Sequence, residues 1–487
     1  MDISERKDFR KANLQGADLI KINFEGAHLE GANLLAAHLK GANLEGAKLQ
    51  GTNLEKANFQ GANLKESNLY GANLTEINLE RANLSGTKLQ RANLYKANLQ
   101  GAKLVVANFY GADLEKADFR DAKLQGANFH DASLRGTNFQ GANLIEANFG
   151  GANLERANLK GTNLEKANFQ GANLKKSNFY GADLKEVNFE KVILMETKLQ
   201  MANLYRANLK GANLEGAYLY GADLEKANLQ EANLRGADLI ETNLENANLR
   251  GVNLEGANLK EADLGKADLQ GANLQKTDLQ RVDLEKANIQ GSILQGANLQ
   301  GANLREANFQ GASFQGADLQ ETNLKGANLR GANLKMARLE GAKLKEANLI
   351  ETNFERANLE GANLRGANLE GANLKEANLL NANLKSAKLK RTNLQGASFM
   401  KAKLQGANLQ VANLQGANLE GANLEEVNLE GANLEGANLK RAKLTGAKNF
   451  SIDQLSKVKT LYNIKLDNNI LKTLMKTYPA LFESPSD

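Results

Sequence analysis

The chain has 487 residues with 61 Lys plus Arg against 56 Asp plus Glu, a formal net charge of +5 that is small for its length and excludes a polyanionic or polycationic protein. It contains no Cys, which excludes disulfides and thiolate metal sites and leaves the redox compartment open. No apolar run approaches a membrane span, and the start Met1-Asp2-Ile3-Ser4-Glu5-Arg6-Lys7-Asp8 lacks the apolar stretch of a secretory signal, so a cytoplasmic location is expected.

Residues 1–8 are a polar lead-in. From Phe9 to Leu444 every fifth residue is then a large apolar one, in a single register without insertion or deletion: 88 centres, of which 72 are Leu, 15 are Phe and one is Ile289. In an α-helix, residues five apart are turned by roughly 140°, so these centres would scatter around every face. In one straight strand an odd spacing would send them alternately to both faces. The pattern fits a chain that bends once per repeat, with a short extended piece presenting the centre inward. Leu, Ala, Glu, Lys and Gln favour helix by propensity, but the period outranks propensity.

The rest of the unit agrees. Two residues before each centre stands a small side chain, Ala in most repeats, with replacements such as Ile22, Thr52, Ser67, Val187 and Thr242. It is expected inside, beside the centre. Between the two sits Asn or Asp, as in Ala12-Asn13-Leu14, which is expected outward or toward the corner, bonding local backbone. Lys48, Lys103, Arg338, Lys343 and Lys403 take that place elsewhere and agree with exposure. The last place of the unit holds 43 of the 45 Gly, yet Lys11, Glu66, Arg81 and Lys166 also stand there, so it does not demand a glycine-only conformation.

Runs such as Gly41-Ala42-Asn43-Leu44-Glu45 and Gly431-Ala432-Asn433-Leu434-Glu435 resemble the A(D/N)LxX unit of pentapeptide-repeat proteins. The resemblance implies an all-β fold, a right-handed quadrilateral β-helix with four repeats per coil. The 88 repeats would then make about 22 coils and, at about 4.8 Å per stacked strand, a solenoid roughly 100 Å long. Phe109, Phe129, Phe149, Phe169 and Phe189, each 20 residues apart, would stack on one inner face of such a coil. Duplication is a competing source of that rhythm, because Gly51-Thr52-Asn53-Leu54 recurs as Gly161-Thr162-Asn163-Leu164 at an offset that is not a multiple of 20. One elongated repeat domain, 9–448, is therefore expected.

Residues 449–487 leave the register at Asn449-Phe450. Ser451-Ile452-Asp453-Gln454 reads as a capping box opening a short helix with Leu455, Val458 and Leu461 as its apolar stripe. A second helical stretch carries Ile470, Leu471, Leu474 and Met475 and ends at Pro479. This tail resembles C-terminal extensions on bacterial pentapeptide-repeat proteins. It is expected to cap the last coil, covering an edge that would template aggregation, or to make a homodimer contact.

Candidate functional features lie on outward positions. Arg305, Lys325, Lys345, Arg365 and Lys385 would form one column of cations able to meet phosphates, but Glu306 and Glu346 stand beside it and no aromatic residues interleave for base stacking, so nucleic acid is not the expected partner. Gln270, Gln290 and Gln310, with parallel sets at Gln280, Gln300 and Gln320 and at Gln275, Gln295 and Gln315, could form amide ladders. Glu420, Glu425, Glu430 and Glu435 face four directions and diverge, which argues against a metal site, and His28, His38 and His130 show no ligand spacing. No catalytic, cofactor or metal residues are assigned, and no enzyme is expected. The expected function is a non-enzymatic structural scaffold or protein-protein interaction rod with unidentified protein partners. The resemblance also implies an alternative, imitation of duplex DNA before a type II topoisomerase, which the +5 charge and the absence of inserted loops disfavour.

Overall fold

A computed structural model describes residues 7–484. Residues 1–6 of the polar lead-in and residues 485–487 lie outside the described residues. The repeat is best understood by following its five backbone N–H groups, since a buried group left unpaired is costly. In the repeat around Leu34, the Leu34 N–H donates to the Asn53 carbonyl at 2.7 Å and the Asn33 N–H to the Ala12 carbonyl at 2.9 Å. The Ala32 N–H closes a turn onto the Leu29 carbonyl at 3.0 Å, and the Gly31 N–H reaches the Gln50 carbonyl at 3.0 Å. Only the fifth N–H, on the residue after the centre, finds no backbone acceptor, and Asn33 supplies one: Leu35 N–H donates to its Oδ1 at 3.2 Å. That is why Asn or Asp recurs there.

The turn at each corner sets the last place of the unit. Gly31 has φ +66°, and Lys11, Glu66, Arg81 and Lys166 have φ of 56–57°. A positive φ at the third turn residue alone marks a type II turn. The place therefore imposes the left-handed conformation on every occupant, which accounts for its glycines, while non-glycine residues there accept a strain of about 1–2 kcal/mol.

Contacts divide the chain into two compact units, Met1–Asn248 and Leu249–Asp487. In the first, parallel bridges join residues 20 apart from Asp8↔His28 to Asn228↔Asn248; in the second they run from Asn253↔Asn273 to Asn428↔Lys448. Four repeats thus close one coil within each unit. The β component is reduced to one bridging residue per repeat, the Asn place, because a corner follows two residues later.

Inside each unit the centres and small residues fill the coil. In the first, Phe109, Phe129, Phe149 and Phe169 stack with centroids 4.6–4.8 Å apart and planes within 4°, while Phe169 and Phe189 tilt by 36° at 5.1 Å. Phe119 and Phe139 stack opposite them at 5.0 Å and meet the first file edge-on. Inward hydroxyls are satisfied by carbonyls, as where Thr52 Oγ1 donates to Leu49 at 2.6 Å and Leu29 at 3.1 Å. At the N-terminal edge Ala12, Leu14 and Ala17 are only half-buried and Lys7 is exposed.

The tail departs from the sequence reading. Helix α1 (Ile452–Ser456) opens on the expected capping box at Ser451 and Gln454 but is only five residues long. Val458 and Leu461 are therefore not part of its stripe. The chain resumes the ladder with two extra residues, pairing Asn438 with Thr460 and Lys443 with Lys465, and places Val458, Leu461, Ile464 and Leu466 in the interior. The register is lost only locally because α1 absorbs the insertion. Helix α2 (Asn468–Thr477) and a 3-10 turn (Pro479–Phe482) follow.

Candidate interaction surfaces

Outward positions come in axial columns, and the Asn place is the best ordered. Its amides bond from rung to rung: Asn128 Nδ2 donates to Asn108 Oδ1 at 3.3 Å, and the file continues through Asn148, Asn168, Asn188, Asn208 and Asn228 to Asn248. The ladders expected of the glutamines are carried by asparagines instead. Among the described residues the three expected Gln columns form no such bonds; one Gln–Gln contact joins Gln395 to Gln415 at 3.4 Å. The shorter Asn side chain is held in place by its own backbone bond, whereas the longer Gln must lose more rotamer freedom.

At seven repeats where the Asn place holds Lys, His or Arg, the side chain two positions on turns in. Gln50, Gln90, Gln125, Gln200 and Gln405 each have a buried, unbonded Oε1, as have Glu30 and Glu340 an Oε2, and each follows Lys48, Lys88, Lys123, Lys198, Lys403, His28 or Arg338 by two residues. These oxygens belong to the repeat's architecture and do not mark ligand sites.

One break in the polar surface lies in the first unit. Ile193, Lys198 and Tyr218 replace Asn in the bridging place within three coils, and Tyr180 and Tyr220 stand in one column with Gln200 between them. Tyr180 is 47 % exposed, Tyr220 41 % and Met201 55 %. Together with Lys160, Asn178, Lys198 and Gln200 these three line an open cleft of about 550 Å³. The Lys160 ammonium sits 5.5 Å from the centre of the Tyr180 ring. Tyr220 donates to the Glu241 carboxylate at 3.1 Å, and that bond raises the phenol's pKa above its ordinary value. Sequence reasoning missed this patch; three non-Asn residues at 193, 198 and 218 were its visible signal.

In the second unit, in-register bridges Asn303↔Asn323↔Lys343↔Asn363↔Asn383 align Arg305, Lys325, Lys345, Arg365 and Lys385 on one side of the coils. Arg305 pairs with Glu306 at 3.0 Å and Lys345 with Glu346 at 3.3 Å, while Lys325, Arg365 and Lys385 have no ion-pair partner among the described residues. In the tail, Leu455, Leu461 and Leu474 are fully buried, Val458 nearly so, Ile470 is half-buried and Met475 is 50 % exposed. Gln454 Nε2 donates to the Leu429 and Ala432 carbonyls at 3.0 and 2.8 Å, satisfying an edge that the repeat itself leaves open. No group of three or more His, Cys, Asp or Glu among the described residues could hold a metal ion.

Profiles of known families read the same periodicity. Pentapeptide repeats in eight-copy form match residues 8–75, 137–265, 267–410 and 412–448 in overlapping stretches, and a pentapeptide repeat region matches 72–149. The chain belongs to the pentapeptide-repeat family. Solved pentapeptide-repeat structures similar to it include HetL, involved in heterocyst differentiation regulation in the cyanobacterium Nostoc sp. strain PCC 7120, at 38 % identity over 41 % of this chain and 88 % of HetL, with a TM-score of 0.29. A thylakoid-lumen protein of Arabidopsis thaliana is 39 % identical over 21 % of this chain and 68 % of its own, with a TM-score of 0.14. Full-length QnrB1, a plasmid-mediated fluoroquinolone resistance protein, is 20 % identical over 39 % of this chain and 95 % of its own, with a TM-score of 0.21. No curated protein matches. The distinctive features of this pentapeptide-repeat chain are thus its departures from the repeat: the aromatic patch, the basic column and the tail.

Proposed function

We propose that this chain is a non-enzymatic scaffold that holds a protein partner on the aromatic patch of its first unit. The observation that carries the reading is the cluster of Tyr180, Met201, Tyr218 and Tyr220, exposed together around one open cleft. Tyr is enriched at the energetic centres of protein interfaces, and Met packs adaptably against varied partners. The interiors of the described coils are filled by the centres and small residues, and no described helix is long and apolar enough to cross a membrane. A cytoplasmic compartment completes the proposal.

The test is affinity capture with the full chain and with a Tyr180→Ala/Met201→Ala/Tyr220→Ala variant, compared by quantitative mass spectrometry. A partner enriched on the parent chain and lost on the variant supports the reading. Identical captured sets overturn it. Imitation of duplex DNA finds less support, because the most strongly charged surface of the second unit is positive. Stoichiometric inhibition of gyrase supercoiling by the purified chain would reverse that ranking.

A further inference from the structure

The second unit segregates its charge. On the side that carries Arg305 to Lys385, the outward places from 301 to 446, with the corner places on both margins, hold ten cations and five acids, Glu306, Glu321, Glu346, Glu425 and Glu426. Of the ten, Lys343, Lys403 and Lys443 stand in the bridging places, and the bridge Lys443↔Lys465 carries that file into the tail. Lys401 and Arg441 line its margin. Several cations on the other sides are tied across rungs: Arg356 to Glu376 at 2.7 Å, Arg391 to Glu370 at 2.8 Å, Arg338 to Asp318 at 3.0 Å, Lys335 to Glu355 at 3.1 Å. On the basic side only Arg305 and Lys345 have acidic partners within ion-pair distance among the described residues.

We propose that this basic side is a docking surface for an anionic lipid bilayer. Four features select that occupant. Arg305, Lys325, Lys345, Arg365 and Lys385 recur on successive rungs about 4.8 Å apart, giving one axial file of cations with Lys343, Lys401, Lys403, Arg441 and Lys443 beside it. A plane of headgroups can meet the whole file, whereas the phosphate strands of a duplex spiral away from a straight file and touch it only at crossings. No outward aromatic side chain lies on this side between 301 and 445, so single-stranded nucleic acid finds no stacking platform. No outward apolar side chain lies there either, so a protein partner would find no apolar anchor on this side. Adsorption is then electrostatic, without insertion, and each cation near an anionic leaflet contributes.

The full chain is to be sedimented with vesicles of phosphatidylcholine, with and without phosphatidylserine as a third of the lipid. Binding is expected only with phosphatidylserine and is expected to fall steeply with added salt. A Lys325→Gln/Lys345→Gln/Arg365→Gln/Lys385→Gln variant should bind roughly a thousandfold more weakly. An Arg330→Gln/Lys335→Gln/Lys375→Gln/Lys440→Gln variant, equal in net charge but altered on other sides, should stay within about twofold of the parent. Absence of binding to phosphatidylserine vesicles at low salt overturns the proposal. So does an equal loss in the two variants, or displacement from the vesicles by duplex DNA at equal phosphate concentration.

Discussion

One oxygen atom explains most of the repeat's consensus. The Asn Oδ1 accepts the single N–H that the coil leaves unpaired and, from the next rung, an amide N–H as well. Asn353 shows both: it accepts from Glu355 N–H at 3.1 Å and Asn373 Nδ2 at 3.1 Å, and donates to Asn333 at 3.2 Å. Asn353→Ala is expected to cost about 1–3 kcal/mol and to speed amide exchange at Glu355, measured by NMR or mass spectrometry. The corner gives the opposite sign. Lys166 occupies the left-handed region at φ +57°, so Lys166→Gly should stabilise by up to about 1 kcal/mol in thermal denaturation. Salt links add a pH term. The Arg356 guanidinium holds the Glu376 carboxyl below its ordinary value. Its contribution is therefore present above the ordinary carboxylate range and is lost as pH falls through the depressed value, a titration that Arg356→Gln should move upward.

At the scale of elements, the coil was legible because a period of five permits few solutions, and the Phe files confirmed its 20-residue turn. The tail was less so. A helical stripe and the inward face of a resumed coil use the same apolar residues, and the sequence around Val458 and Leu461 carries no marker to separate them. The ladder decides: Lys459 N–H donates to the Ala437 carbonyl at 2.9 Å and Lys465 N–H to Ala442 at 2.9 Å. Burial then divides the expected tail contacts. Leu461→Ala or Leu474→Ala should cost about 2–5 kcal/mol of local stability and promote aggregation visible by light scattering. Met475→Ala, half-exposed, should stay within about 0.5 kcal/mol. The aromatic patch escaped sequence reading for a different reason: its members are spread over 41 residues, from Tyr180 to Tyr220, and converge only because successive coils stack them.

For the molecule as a whole, the decisive property is that each coil touches only its neighbours. Of the residue pairs in contact, nearly all are long-range in sequence, yet the bridges within each unit never span more than one coil. Stability should then be a sum of local terms, without the single global transition of a small globular domain. Leu234 offers the test, because it is fully buried in the first unit and its replacement by Lys places a charge among apolar neighbours. In Leu234→Lys, hydrogen exchange should accelerate over the coils flanking residue 234, while peptides around Leu349 and Leu384 in the second unit keep the protection of the parent chain. Glu225→Lys, on the outward side, should leave both regions unchanged. Loss of protection everywhere in Leu234→Lys would mean that the chain unfolds as one cooperative body and that the nearest-neighbour account of its stability is wrong.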